Sequence, residues 1–265
     1  MSGLLRLAHV ALTSPDPERL AAGYGAQVGL VASGEDPLRL TTNGYSHCLE
    51  LHEGERGLHH IAFEVADVAA FDGASVDAPG YEAAIELTDP EGNRVRLVAG
   101  AQASRAIEPG DRAFRPSKIG HVGVRARDPQ AQIAFYEGLG FRLSDWIGEQ
   151  VGFLRCNPDH HVLVFVRSET GGVHHVAYEV GSFEDFARQA DLLAAQAVPV
   201  LWGPGRHAPS RNYFMYFDDA DGNRIEWVNS IKQIPDDGTY VPEVYDPAVP
   251  TTWNVWGPQP PAGFV

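Results

Sequence analysis

Residues 203–226 read GPGRHAPSRNYFMYFDDADGNRIE, and the last eight have an echo: DPEGNRVR at 89–96 stands against DADGNRIE at 219–226. Within the stretch, a glycine-rich loop leads to a strand of alternating aromatics, a turn at Asp221-Gly222-Asn223 and a returning strand. Asp, Gly and Asn supply the positive φ and the local side-chain hydrogen bonds that a hairpin turn demands. On the returning strand Ile225 and Trp227 share one face, and Arg224, Glu226 and Val228 the other. A carboxylate at 226 is either a solvated strand residue or a ligand pointing into an enclosed cavity.

Two more pairs of segments match, in the same order. LAHVAL at 7–12 pairs with IGHVGV at 119–124, and LHHIAFEV at 58–65 pairs with VHHVAYEV at 173–180. His9, His60 and Arg96 are spaced by 51 then 36 residues; His121, His175 and Glu226 by 54 then 51. The chain is therefore a tandem duplication. It divides into an N-terminal half (1–100), a polar linker with Pro and Gly (101–117), a C-terminal half (118–232) and a tail (233–265).

Each half reads as short strands around one helical segment, twice over. From His121 a strand is followed by a helix that starts at Asp128-Pro129 and runs through AQIAFYEGLG, with Ile133, Phe135 and Tyr136 apolar and Gly138 and Gly140 closing it. Strands follow at 141–146, 151–156 and 161–166, and the pattern restarts at His174 with a helix over 182–195. Pro15-Asp16-Pro17-Glu18 repeats the helix start in the other half. The expected fold is α+β: four βαβββ units paired two and two, giving two half-barrel domains, each around a cavity.

Composition narrows the function classes. Acidic residues number 35 against 20 basic, for a formal charge of −15 and no basic run, which argues against nucleic acid or an anionic membrane as partner. Cys48 and Cys156 are the two cysteines, too few for a disulfide framework. No stretch approaches the ~20 apolar residues of a membrane span, and the start lacks the basic region and cleavage site of a signal peptide. A cytoplasmic protein is expected.

If paired units form one cup, His121, His175 and Glu226 converge. Two neutral imidazoles and a carboxylate leave several positions open on a six-coordinate ion, which suits non-haem Fe(II) oxygen chemistry; Mn(II) also fits. One carboxylate on a divalent ion leaves a net charge near +1, favouring an anionic chelating substrate. The N-terminal half keeps His9 and His60 but has Arg96 at the position of Glu226, and a guanidinium cannot ligate a metal. That half is expected to lack a complete metal site. Taken singly, each histidine reads equally as a core imidazole.

These residues resemble the vicinal oxygen chelate superfamily, and within it the type I extradiol ring-cleavage dioxygenases. Gly205-Arg206-His207, Met215-Tyr216 and Glu226 are similar to that family's signature; Ala220 stands where the family usually has proline. The resemblance implies His121, His175 and Glu226 as iron ligands, His161 as the acid and base, and His207 and Tyr216 as hydrogen-bonding partners of substrate and oxygen. His160 stays an alternative to His161. His174, on the other strand face, is expected to point away. Phe214 and Tyr216 share a strand face and are expected, with Trp202, to wall a pocket for a flat ring. Leu201 and Trp202 precede the glycine loop, where a cation would meet a substrate carboxylate, so an apolar or aromatic ring substituent is expected. The implied reaction is meta cleavage of a catechol with both atoms of O2, by a homo-oligomer. A glyoxalase-like isomerase or epimerase and a metal-free binding protein are the other readings on this fold. The tail holds seven of the nineteen prolines and five aromatic residues, too aromatic for a solvated segment. It is expected to lie across its own domain or a neighbouring subunit, or to act as a lid.

Overall fold

The computed structural model describes residues 3–42, 46–103, 115–235 and 238–264. Of the linker 101–117, residues 104–114 lie outside that description. The chain separates into two units: residues 1–119 with 219–221, and residues 120–218 with 222–265.

The first unit runs β1 (Leu4–Ser14), α1 (Pro17–Gly23), β2 (Val31–Glu35), β3 (Leu38–Thr41), β4 (Leu49–Glu53), β5 (Gly57–Val65), β6 (Ala74–Ser75), β7 (Ala83–Thr88) and β8 (Arg94–Ala99). Its strands form one sheet in the order β2-β3-β4-β1-β5-β8-β7-β6. The second unit runs β9 (Lys118–Ala126), α2 (Pro129–Gly138), β10 (Arg142–Ile147), β11 (Val151–Arg155), β12 (Leu163–Arg167), β13 (Val173–Glu179), α3 (Phe183–Ala195), β14 (Trp202–Arg206), β15 (Tyr213–Asp218), β16 (Arg224–Asn229), β17 (Glu243–Tyr245) and α4 (Pro250–Trp253). Its order is β14-β15-β16-β13-β9-β12-β11-β10-β17. Read from the other edge, and with β17 set aside, this is the order of the first sheet. The duplication seen in the sequence is thus a duplication of topology, and the fold is α+β.

Register carries the correspondence to single residues. In the first sheet Val10 pairs with Leu49 and Ala62 with Arg96; in the second Val122 pairs with Leu163 and Ala177 with Glu226. Arg96 therefore occupies the place of Glu226, and Glu86, opposite Arg96, the place of Tyr216.

Helix α2 shows how local chemistry builds a unit. Asp128 caps it by accepting from the backbone N–H groups of Gln130 and Ala131, and Pro129 starts it, where a missing N–H costs nothing. Ile133 and Tyr136 are buried on its inner face, each worth roughly 1.5–3 kcal/mol. Gly140, at φ +102°, takes the chain out of the helix. Helix α3 begins with a capping box between Ser182 and Asp185.

One unit departs from the expected pattern. Between β5 and β6 there is a single 3-10 turn, Val68–Ala70, in place of an α-helix. The segment between the two strands, residues 66–73, is short, ends at Gly73, and offers no helical run of apolar residues to bury. This accounts for the shorter spacing from His60 to Arg96.

The tail lies across the second unit. β17 adds to the sheet edge in parallel with β10, and Trp253 packs on a cluster of Ile147, Val151, Phe153, Val164 and Val166. Phe264 joins Trp202, Phe214 and Tyr216 in another. Among the described residues no helix is long and apolar enough to cross a membrane.

Candidate metal centre

Three neighbouring strands of the second sheet, β9, β13 and β16, bring His121, His175 and Glu226 together. His121 Nε2 lies 2.9 Å from His175 Nε2 and 2.9 Å from Glu226 Oε2, and His175 Nε2 lies 3.3 Å from the same oxygen. All three side chains are buried. Both Glu226 oxygens lack a hydrogen bond, a costly condition for a buried carboxylate. Three donors held at cis positions about 2.1 Å from one divalent ion must lie about 3.0 Å apart. The observed separations and the orphaned oxygens fit such an ion.

The backbone makes room for this arrangement. A Cβ at Gly123, two residues along β9 from His121, would run into the His175 ring. Glycine is required there because the imidazole lies against bare backbone.

Burial dominates the electrostatics. It drives His175 well below the ordinary imidazole range against the pull of Glu226, so this imidazole is held neutral. Burial alone would raise the Glu226 carboxyl; the neighbouring His121 and His175 imidazoles override it and pull it below the usual carboxylate range.

The remaining expected residues surround the triad. The His161 ring centroid lies 4.2 Å from that of His121, and burial, then His121 and His160, lower its pKa well below the ordinary value. Its Nδ1 is 3.0 Å from His160 Nδ1, and His160 Nε2 is 2.8 Å from Asp145 Oδ2. His161 lines the cavity with the triad, and His160 lies behind it. His207 Nε2 is 3.2 Å from the Tyr216 hydroxyl and 3.5 Å from Glu226 Oε1, and its Nδ1 donates to the Trp253 carbonyl at 2.8 Å. Burial and then Glu226 push the Tyr216 phenol well up, so it remains an O–H donor.

His174 stays out of the triad: its Nδ1 is 2.6 Å from His175 Nδ1 and its Nε2 is 2.8 Å from the Phe264 carbonyl. It does not point wholly away, since it also borders the cavity. Trp202 lines the cavity as expected. Phe214 does not, because its ring stacks beneath His207 with centroids 3.9 Å apart and so supports the wall from behind.

Sequence reasoning missed Asp145, Trp253 and Phe264. The two aromatic residues were visible as an unusual feature of a proline-rich tail, but Asp145 had no signal beyond being a charge inside an apolar strand. Part of the cavity wall is apolar: Ile147, Val151, Phe153, Val164 and Val166. Among the described residues that line it there is no Lys or Arg, and Glu226 is the one carboxylate.

Residues 118–227 match the Glyoxalase/Bleomycin resistance protein/Dioxygenase superfamily. The chain is 28% identical to metapyrocatechase 2 of Cupriavidus necator, over 97% of this chain and 90% of the relative. It is 27% identical to the manganese-dependent 2,3-dihydroxybiphenyl 1,2-dioxygenase of Geobacillus genomosp. 3, over 84% of each. Among solved structures, the Mn(II)-bound glyoxalase from Novosphingobium aromaticivorans is similar with a TM-score of 0.86 at 24% identity, covering 98% of this chain and 96% of that one. At that identity the likeness speaks to the fold.

Proposed function

We propose, from the match of residues 118–227 to the Glyoxalase/Bleomycin resistance protein/Dioxygenase superfamily and the similarity to metapyrocatechase 2, that the chain is an Fe(II)-dependent extradiol dioxygenase. It cleaves the ring of a catechol beside the diol and inserts both atoms of O2. One observation carries the reading: two imidazoles and one carboxylate converge on a single point beside His161, His207 and Tyr216, in a cavity with an apolar wall. The similarity to metapyrocatechase 2 and to a manganese-dependent dihydroxybiphenyl dioxygenase supports the same chemistry.

His121, His175 and Glu226 are the residues that would hold the ion. When bound, Fe(II) supplies a Lewis-acidic, redox-active centre with coordination positions left open for a diol and for dioxygen. The chain's own groups do the rest. Burial keeps the His161 imidazole neutral, so it can take a proton as the diol binds and return one as the ring opens. Tyr216 and His207 offer hydrogen-bonding groups at the opposite side, one an O–H kept protonated by burial. Ile147, Val151, Phe153, Val164 and Val166 exclude water and lie along one side of a flat ring.

The absence of basic side chains among the described lining residues favours a catechol with an apolar or aromatic substituent over a carboxylated one. A non-redox isomerase would call for a further carboxylate as base, and Glu226, already committed to the ion, is the one carboxylate on the described wall.

The test is anaerobic purification, reloading with Fe(II) or Mn(II), and measurement of O2 uptake together with a new visible absorbance on a panel of catechols. Stoichiometric O2 consumption with a yellow ring-opened product supports the reading. Metal binding without O2 uptake across alkyl-, aryl- and carboxyl-substituted catechols would overturn it. Comparing the two metals at equal occupancy decides between iron and manganese.

A further inference from the structure

The first unit carries its own set of imidazoles around a buried acid, and the ring-cleavage chemistry makes no use of it. His9 on β1 and His60 on β5 stand with their Nε2 atoms 2.9 Å apart, the separation found for His121 and His175 in the second copy. Arg96, in the register position of Glu226, is drawn aside to Glu86, with Nε 2.9 Å from Oε2. The acid comes from β4 instead. Glu50 Oε2 lies 3.3 Å from His47 Nε2 and 3.9 Å from His9 Nε2. His9, His47, Glu50 and His60 are all 3% exposed or less.

Hydrogen bonding within the cluster leaves the inner atoms available. The outer nitrogen of each imidazole has a partner: His9 Nδ1 at the Tyr81 hydroxyl (3.3 Å), His47 Nδ1 at Ser46 Oγ (3.3 Å) and His60 Nδ1 at His59 Nδ1 (2.7 Å). His52 Nε2 holds the far oxygen of Glu50 at 2.6 Å. Partners of this kind orient metal-ligating side chains from behind. At the centre, His47 Nε2 is buried and makes no hydrogen bond, although a carboxylate oxygen is 3.3 Å away. An imidazole nitrogen and a carboxylate oxygen facing one buried point is an arrangement that a cation can occupy.

We propose that His9, His47 and Glu50, whose donor atoms lie within 4.8 Å of one another, bind a second divalent cation in a site that suits Zn2+, with His60 beside it. Donors placed tetrahedrally about 2.0–2.1 Å from zinc lie about 3.3 Å apart, against 3.3 and 3.9 Å from Glu50 Oε2 to His47 Nε2 and His9 Nε2. Three protein donors leave one position of a four-coordinate zinc ion for water. This replaces the expectation that the N-terminal half lacks a complete site: that expectation compared Arg96 with Glu226 and did not consider a carboxylate from a different strand. The proposal is independent of the ring-cleavage reading.

The experiment is a titration of the metal-stripped full chain with Zn(II) against a chromophoric chelator, with total metal checked by elemental analysis. The wild-type chain is expected to take up about two equivalents, the Glu226→Gln chain one, the Glu50→Gln chain one, and the double variant none. Co(II) loaded into the Glu226→Gln chain is expected to give the intense visible bands of a four-coordinate ion, and their loss on adding His47→Gln assigns the site. Should Glu50→Gln fail to fold, His47→Gln in the same titration takes its place. A single equivalent in the wild-type chain that disappears with Glu226→Gln would overturn the proposal. So would a second equivalent that survives both Glu50→Gln and His47→Gln.

Discussion

His160 stands directly behind His161, Nδ1 to Nδ1 at 3.0 Å, and its far nitrogen meets Asp145 at 2.8 Å. The contact settles the tautomers. Asp145 is an acceptor, so His160 donates from Nε2 and its Nδ1 carries a lone pair; His161 must then donate from Nδ1 and present a lone pair at Nε2. Asp145 is itself held by the Tyr240 hydroxyl at 2.9 Å and by the Glu243 backbone N–H at 2.8 Å. The tail thus helps to fix the tautomer of His161.

His161→Ala is expected to lower kcat by roughly 10²–10⁴-fold while the chain keeps its metal. Elemental analysis beside steady-state kinetics on a catechol checks both halves. Loss of metal together with activity would move His161 into the ligand set. Asp145→Asn, which acts through His160, is expected to cost less, about tenfold, and to change the pH profile as well as the rate.

The sign of the pH effect follows from the lowered pKa of His161. A base is useful when unprotonated, so activity is lost as pH falls through its pKa. Burial, followed by the nearby His121 and His160, depresses that pKa, which carries the acid limb of kcat/KM below the ordinary imidazole value of about 6.5. A limb at or above that value would contradict the assignment.

Gly123→Ala tests the packing of the triad without touching a ligand. The new Cβ would displace the His175 ring, and disturbing the support of a ligand typically costs 10–100-fold in metal affinity. Chelator competition is expected to show a loss in that range, with circular dichroism unchanged. Wild-type affinity would mean that β9 can shift to accommodate the methyl group.

Much of this was legible beforehand, for identifiable reasons. Strand faces alternate with a period of two and the duplicated segments keep their order, so His121, His175 and Glu226 could be grouped from spacing, and Arg96 matched to Glu226 before any register was known. Asp128-Pro129 announced a helix start through capping chemistry. What stayed hidden comes from pairings with no counterpart in the repeat. Asp145 reaches His160 across two strands, β17 adds to a sheet edge far away in sequence, and Glu50 approaches His9 and His47 from a strand whose C-terminal copy has Val164 at that position. The Phe214 expectation erred because strand phase gives the face of a side chain but not its depth, and His207 lies between Phe214 and the cavity.

Tyr216→Phe separates a hydrogen-bond donor from a titrating group. Burial and the Glu226 charge raise the phenol well above its usual pKa, so it is an O–H throughout the working range. The substitution is expected to reduce kcat/KM by about tenfold, as for a lost hydrogen bond to a developing charge, and to leave the alkaline limb of the pH profile where it was. A limb that vanishes in the variant would show that the phenol ionises during turnover.

Phe264 closes one side of the cavity, and its effect should fall on substrate binding. Its ring meets those of Trp202 and Tyr216 with centroids 4.8 and 4.9 Å apart, and the Arg224 guanidinium lies 3.6 Å from its centre. The Phe264 carbonyl accepts from Arg224 at 2.8 Å and lies 2.8 Å from His174 Nε2; a side-chain substitution leaves these backbone contacts in place. Phe264→Ala therefore removes the aromatic wall and spares the support of His175. The expected result is a KM for aryl- or alkyl-substituted catechols raised about tenfold or more, with kcat changed far less and metal content unchanged, because loss of uniform binding appears in KM. An equal fall in kcat and kcat/KM would instead place Phe264 among the groups that align the reacting ring.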